Sequence, residues 1–422
     1  MMRFNSLQGW LDWQESLHPQ TIDLGLERAG QVFRALHPNY QKPPTITVAG
    51  TNGKGSCVAF LESIYRTQGY RVGTYTSPHI LKYNERIKIA GEPVSDELIC
   101  SAFERIESVR NNISLSYFEF GTLAALDIFS RSAIDVQLLE VGLGGRLDAV
   151  NIIDPDAAII TSICIDHADW LGDTREIIGR EKAGIFRPRV PAIVGDPEPP
   201  DSLAKCAVAQ GAPIFYIDSE FGYRRQAAGW DWFGVGRWLK GLPEPNLKGE
   251  HQYRNAASAI LAVIKMQDKL PVTEFAIAQA LKNVQLTGRF QLINGDIPVL
   301  LDVGHNPQAV RTLADHLINY FSGQCVHAVF SMMKDKDIGG VLEVMKPVVK
   351  DWYFAPLPHN PRSASETLMQ EMFALNSIAD VNFGFADFNE AFTAARNKAE
   401  KGDLLLVFGS FFLVSEYLAG LQ

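Results

Sequence analysis

Residues 45–57 read Thr-Ile-Thr-Val-Ala-Gly-Thr-Asn-Gly-Lys-Gly-Ser-Cys, and this stretch constrains the chain more than any other. A β-branched run, Thr45 to Val48, ends in a glycine-rich turn carrying Lys54 and Ser56, and a helical pattern follows from Cys57 to Gln68. That order is strand, phosphate loop, helix. Glycines let backbone N–H groups converge on phosphate oxygens, and the helix N-terminus adds a favourable dipole. Lys54 can neutralise β- and γ-phosphates, and a neighbouring hydroxyl can reach Mg²⁺. The spacing departs from the commonest phosphate loop: only Thr51 and Asn52 separate Gly50 from Gly53, and Val48 stands where the usual first glycine would be. An ordinary glycine-rich turn is the competing reading, and Gly-Lys-Gly-Ser at a strand-to-helix junction weighs against it.

At 422 residues the chain is expected to hold two or more domains. The net charge of −9 makes it a poor candidate for nucleic-acid binding, which needs a basic footprint. Its five cysteines form no CxxC or CxxH pair and read as buried small hydrophobes in a reducing compartment. Asp12 and Glu15 interrupt any signal-like N-terminus, and the most apolar segment, Leu404 to Val414, is too short to span a bilayer. The expectation is a cytoplasmic protein.

Residues 1–40 show apolar residues at helical spacing (Trp10, Trp13, Leu17, Leu24, Val32, Phe33, Leu36). Further on, strands are expected at 71–76, 134–141 and 157–165, and helices at 95–109, 119–130 and 255–267. The 95–109 helix has Ser95 as N-cap and Leu98 in its apolar set. Alternation of this kind indicates a mostly parallel, doubly wound sheet, whose ligands bind at the carboxyl ends of strands. Between 196 and 250, prolines and an aromatic cluster suggest short antiparallel strands. A second βα series begins at Val299. The expected fold is therefore α/β: a phosphate-loop domain over 1–290 built on a mostly parallel doubly wound sheet, a linker at 291–297, and a smaller C-terminal Rossmann-like α/β domain over 298–422.

Glu140 ends the apolar run Val136 to Val141, and a buried carboxylate needs an ion partner or a bound cation. A Mg²⁺ role is favoured because its strand runs parallel to the phosphate-loop strand; a structural ion pair is the alternative. His167 follows Asp166 at the end of the next strand, where a satisfied structural histidine is the more ordinary case, and Mg²⁺ prefers oxygen ligands. Lys182, in Arg-Glu-Lys-Ala-Gly, reads by itself as a solvated helix lysine.

Several segments occur together and in order: Gly50-Thr-Asn-Gly-Lys-Gly-Ser56, Thr76-Ser-Pro-His79, Asn84-Glu-Arg86, Glu140-Val-Gly-Leu-Gly-Gly-Arg-Leu-Asp148, Asp166-His167, Glu181-Lys-Ala-Gly184 and Asp302-Val-Gly-His-Asn-Pro307. Over almost the whole chain the set resembles the folylpolyglutamate synthase family, relatives of the Mur ligases. The segment Thr21-Ile-Asp-Leu-Gly-Leu-Glu-Arg28 resembles its bifunctional bacterial dihydrofolate synthase branch. The resemblance implies ATP and Mg²⁺ as cofactors. Thr51, Asn52, Gly53, Lys54, Gly55 and Ser56 would hold the phosphates, and Asn255, Arg289 and Asp302 would contact the nucleotide. Ser77, Glu140 and His167 would bind Mg²⁺, and Lys182, carbamylated, would help hold a second ion. Thr21, Ile22, Asp23, Leu24, Ser116, Leu147, Asp148 and Ala149 would line the pterin site. Lys54, Lys182 and His305 form the implied catalytic set. Read from residues alone, Thr21 to Leu24 could be a helix start, Arg289 a linker salt bridge and Asp302 a cap after a strand.

The implied partners are 7,8-dihydropteroate, reduced folates and L-glutamate, with no nucleic acid and no membrane, on a monomer. The implied reaction phosphorylates a carboxylate, and the amine of glutamate then attacks the acyl phosphate. With parts of the site on both domains, closure would exclude water. The alternatives are polyglutamate extension alone, a Mur-type peptide ligase, and a nucleotide-binding switch without ligase chemistry.

Overall fold

Runs of β-branched and aliphatic residues bounded by glycine or proline set the strands, and helical spacing between them sets the layers. The computed structural model describes residues 3–20 and 22–421. They form two compact units, the first running to Asn246 and resuming over Gln252–Gln285, the second comprising Leu247–His251 and Leu286–Gln422.

The first unit opens with α1 (Leu7–Leu17) and α2 (Glu27–Leu36). The apolar spacing of residues 1–40 is thus carried by two helices, with non-helical backbone over residues 22–25. The phosphate-loop strand is β1 (Thr45–Ala49), followed by α3 (Lys54–Gln68), β2 (Val72–Tyr75), β3 (Ile87–Ile89) and β4 (Glu92–Pro93). Then come α4 (Asp96–Val109), α5 (Tyr117–Ser130), β5 (Val136–Glu140) and β6 (Ala157–Ile160). The chain continues through α6 (Ala168–Leu171), α7 (Arg175–Lys182), β7 (Ala192–Val194), α8 (Asp201–Gln210) and β8 (Ile214–Tyr216). These strands make one sheet in the order β4-β3-β2-β5-β1-β6-β7-β8, parallel from β2 to β8 and antiparallel at the β3 and β4 edge. β1 sits between β5 and β6, buried along its whole length; Ile46 and Val48 fill one face, and on the other the Thr45 hydroxyl donates to the Pro43 carbonyl (2.8 Å) and accepts from Gln137 Nε2 (2.8 Å).

Ser95 caps α4 as expected, but Leu98 is exposed; the face that packs is Ile99, Cys100, Ala102, Phe103 and Ile106. Cys57 and Cys100 are buried, while Cys164, Cys206 and Cys325 are only partly so, and all five are free thiols.

The proline-rich segment forms a three-stranded antiparallel sheet, β9 (Phe221–Arg225), β10 (Trp230–Gly234) and β11 (Arg237–Leu242). It leads to α9 (His251–Lys265) and α10 (Glu274–Asn283), and α10 packs along α3. Trp232 on β10 is fully buried and donates its indole N–H to the Ala257 carbonyl of α9 at 3.1 Å, anchoring the small sheet to that helix.

The second unit is a six-stranded sheet, β12 (Gln291–Ile293), β13 (Val299–Asp302), β14 (Val326–Phe330), β15 (Asp351–Phe354), β16 (Val381–Asn382) and β17 (Leu404–Phe408), in the order β12-β13-β17-β14-β15-β16. All pairs are parallel except β12 with β13. The expected linker at 291–297 thus contains a strand: Gln291 pairs with Leu301 and Ile293 with Val299, an edge strand too short, at three residues, to announce itself. The protein is a mixed α/β chain with a parallel-dominated sheet in each unit. No helix among the described residues is long and apolar enough to cross a membrane.

Candidate active site

The site grows from the end of β1. Gly53 caps α3 at φ +89°, ψ −5°, a left-handed conformation open to glycine, and supplies no side-chain acceptor for the helix's first-turn amides. Those amides and the helix dipole are left to face an anion. Around the loop the fit is close. Thr51 N donates to the Ser162 carbonyl (2.7 Å), and its hydroxyl lies 3.1 Å from both the Cys164 carbonyl and the Cys164 amide. The Asn52 carbonyl accepts from Thr161 Oγ1 (2.6 Å) and Ser162 Oγ (3.1 Å). On the other side, Asn255 Nδ2 donates to Gln252 Oε1 (3.1 Å), and Gln252 Nε2 to Ser56 Oγ (3.3 Å). The loop is held by the end of β6 and the start of α9.

Two lysines meet at the Gly50 carbonyl: Lys54 Nζ at 3.1 Å and Lys182 Nζ at 2.9 Å. Lys54 also reaches the Thr51 carbonyl at 3.2 Å. Lys182, expected on sequence alone to be solvated, is buried. Burial first, and then repulsion from Lys54, lowers its pKa from the usual lysine range to about 7. Glycine lets the end of α7 that carries the lysine pack tightly: a Cβ on Gly184 would stand 2.3 Å from Arg146 Cα, and one on Gly145 would stand 2.9 Å from the Lys182 carbonyl oxygen.

Glu140, at the end of β5, is buried and accepts the Ser77 backbone N–H at 3.3 Å, joining two of the expected Mg²⁺ residues. His167 is the N-cap of α6 at φ +53°, and the Asp166 carboxylate accepts its amide. Asp148 is buried, accepts from Leu143 N (2.8 Å) and Val150 N (3.0 Å), and caps the short 3-10 turn Ala149–Ile152; burial raises its pKa to about 6.

Of the expected pterin residues, Thr21 lies outside the described residues. Ile22, Asp23 and Leu24 are non-helical. Asp23 is held by His18 (3.0 Å) and Arg28 (2.6 Å), and Arg28 also meets Glu119 at 3.2 Å. Glu119 accepts the Ser116 amide at 2.8 Å in a capping box at the start of α5. One ionic chain therefore ties residues 22–24 to Ser116. In the second unit, Arg289 lies over the Phe411 ring (5.3 Å) and the His305 ring stands 6.1 Å from the same ring. Asp302 there is buried and accepts from Gly304 N (2.7 Å) and Phe290 N (3.2 Å); burial raises its pKa to about 6 against the pull of Arg289.

Comparison with known proteins gives this geometry a family. Residues 48–199 match the Mur ligase middle domain and residues 288–411 the Mur ligase glutamate ligase domain. The dihydrofolate synthase/folylpolyglutamate synthase of Escherichia coli K12 is 43% identical over 413 residues, covering 98% of this chain and 94% of that protein. That of Haemophilus influenzae is 37% identical, covering 98% and 97%. This chain belongs to the dihydrofolate synthase/folylpolyglutamate synthase family. Among solved members, E. coli FolC in complex with DHPP and ADP has a TM-score of 0.93 at 42% identity, covering 99% of this chain and 98% of that one. A bifunctional enzyme with Mn, AMPPNP and L-glutamate bound has a TM-score of 0.91 at 43% identity, with coverages of 99% and 98%.

The residues of this family member fit a nucleotide with a divalent ion. The uncapped first turn of α3 and Lys54 suit phosphate, and Glu140 and Ser77 offer the oxygens that Mg²⁺ prefers. Among the described residues no three His, Cys, Asp or Glu side chains form a metal-holding group. Sequence reading passed over Thr161, Gln252, Arg28 and Glu119. A Thr or Gln near a strand or helix end is too common a signal, and Arg28 sits within the family-like segment unremarked.

Proposed function

We propose that this protein is an ATP-dependent ligase that joins L-glutamate to 7,8-dihydropteroate and adds further glutamates to reduced folates. The observation that carries the reading is the phosphate-loop cluster, in which Lys54 and Lys182 share the Gly50 carbonyl, in a chain alike over 98% of its length to a bifunctional enzyme of that name. A carboxylate resists attack by an amine because oxide would have to leave. Phosphoryl transfer from ATP gives an acyl phosphate, and attack by the glutamate amine expels phosphate.

In this reading the residues 51–56 cradle the phosphates, and Lys54 turns from the Gly50 and Thr51 carbonyls toward the β/γ oxygens. Asn255, which lies against the loop at Gly53, contacts the nucleotide in this reading, and Arg289 and Asp302 are assigned to it as well. Ser77, Glu140 and His167 hold Mg²⁺, which supplies charge neutralisation at the phosphates. Lys182 is readier for carbamylation than an ordinary lysine: with its pKa lowered to about 7, a substantial share of its amine is free at neutral pH, and addition of CO₂ with loss of a proton turns it into an oxygen donor. Ile22 to Leu24, Ser116 and Leu147 to Ala149 line the pterin pocket, the first two held together by the Asp23–Arg28–Glu119 chain. His305 completes the catalytic set.

The test is phosphate release from MgATP and L-glutamate with 7,8-dihydropteroate and, separately, with tetrahydrofolate, with product masses. Release with both, each product one glutamyl unit heavier, is expected, and Lys54→Ala abolishes it. Release with tetrahydrofolate alone leaves an extension enzyme; release with neither overturns the reading.

A further inference from the structure

Arg86 is a cation whose surroundings leave its charge without an acid. It ends the 3-10 turn Tyr83–Arg86 and is partly buried. Its Nε donates to His79 Nδ1 at 2.8 Å, so that nitrogen serves as the acceptor and adds no negative charge. Its guanidinium lies 5.4 Å from the Tyr83 ring centre and 5.5 Å from that of Tyr117, a stacked environment that fixes the plane of the fork. Among the described residues no carboxylate stands within ion-pair distance of it, and its two Nη groups make no hydrogen bond. The acid beside it in sequence, Glu85, is consumed by three amides, those of Ile80 (2.8 Å), Leu81 (2.8 Å) and Lys82 (2.7 Å). A half-buried guanidinium held flat, with its bidentate edge unused, is built to take a carboxylate from outside the chain.

Its position says which one. The Arg86 carbonyl accepts the Thr76 amide at 2.9 Å, one residue from Ser77, whose own amide reaches Glu140. On its other side Tyr117 adjoins Ser116 at the start of α5. Arg86 therefore stands between the residues assigned to the phosphate end and those assigned to the pterin end. In the ligase reading, a substrate with its pterin at one end and its reacting carboxyl at the other runs along the segment that carries this residue. Dihydropteroate brings one carboxylate, the one that reacts. A folate extended through its γ-carboxyl brings a second, the α-carboxylate of its glutamate, which takes no part in the chemistry and still needs a partner.

We propose that Arg86 binds the α-carboxylate of the folate's terminal glutamate, and so orients the γ-carboxyl for the extension reaction. This rests on the ligase reading above.

The experiment pairs a substrate change with a residue change. Tetrahydrofolate is compared with its analogue carrying 4-aminobutyrate in place of glutamate, which keeps the reacting carboxyl and lacks the α-carboxylate. The wild-type protein is expected to favour tetrahydrofolate in kcat/KM by roughly 10–100-fold, the range for one charge-assisted pair. In Arg86→Gln that preference collapses toward unity, and Arg86→Lys, a point charge without the fork, keeps an intermediate part of it. A preference that survives intact in Arg86→Gln overturns the assignment, as does a wild-type protein indifferent to the α-carboxylate, a result that needs no folded variant. A wild-type protein inactive on dihydropteroate and on both folates would instead overturn the ligase reading itself.

Discussion

Gly50→Ala puts the architecture of the phosphate loop to a quantitative test. Gly50 sits at φ +146°, a backbone conformation that an L side chain adopts at a cost of about 1–3 kcal/mol. The added Cβ would lie 1.9 Å from Thr161 Oγ1 and 3.1 Å from the Thr161 backbone nitrogen. Relieving that overlap costs about 1–3 kcal/mol more. Displacing Thr161 Oγ1 also breaks its 2.6 Å hydrogen bond to the Asn52 carbonyl, a further ~1 kcal/mol. The total, about 3–7 kcal/mol, is comparable with the stability of a whole domain. The loss falls where the Gly50 carbonyl receives both Lys54 and Lys182, so nucleotide affinity should fall with it. Urea unfolding followed by tryptophan fluorescence gives the stability, and calorimetric titration with ADP gives the affinity. Thr161→Ala in the same chain removes the hydroxyl overlap and leaves the backbone strain, so the double variant should recover about 1–3 kcal/mol. Gly50→Ala within 0.5 kcal/mol of the wild type, or a double variant that recovers nothing, would refute the reasoning.

Lys182→Ala should lose nearly all glutamate-dependent phosphate release and regain part of it with formate or acetate in the buffer. Because the Lys182 pKa is lowered to about 7, the free amine is present above that pH and lost as pH falls through it; intact mass with and without bicarbonate should show the carbamate only on the alkaline side. Asp302 has its pKa raised to about 6, so the native protein binds a proton that the unfolded chain has lost between pH 4 and 6. Its contribution to stability is present at the acid end and fades as pH rises through that window, and Asp302→Asn should flatten the unfolding free energy there by ~2–3 kcal/mol. His327 is buried between Asp351 (3.0 Å) and Asp403 (3.1 Å), and His327→Gln, able to keep one contact at most, should cost about 2–4 kcal/mol in urea unfolding.

The central strands were legible because β1, β5 and β6 combine apolar runs with sharp ends, and the phosphate loop because a glycine turn joined a strand to a helix. Short or edge elements were not: Gln291–Ile293 is three residues long, and residues 22–25 interrupt an amphipathic spacing that continues on both sides. Leu98 misled because apolar character alone does not choose a helix face; the neighbours of Ile99 and Phe103 do. In the site, the spacing of Gly50 to Ser56 showed where phosphate chemistry belongs. The burial of Lys182 could not be read from a segment as polar as Arg-Glu-Lys, since it depends on a close approach between residues 146 and 184, far apart in sequence. The same holds for Thr161 and Gln252, whose partners on the loop lie about a hundred or more residues away.

The sulfur beside the phosphate loop has a chemical consequence. Cys57 is fully buried with its thiol donating to the Asn255 carbonyl, and burial raises its pKa; Cys164, against Thr51 and Asn52, has its own raised to about 11. Thiolate, not thiol, reacts with alkylating agents and peroxides. At neutral pH this corner of the molecule offers them almost none, so the loop can carry two cysteines without becoming a redox switch, and electrophiles that inactivate thiolate enzymes should pass it by.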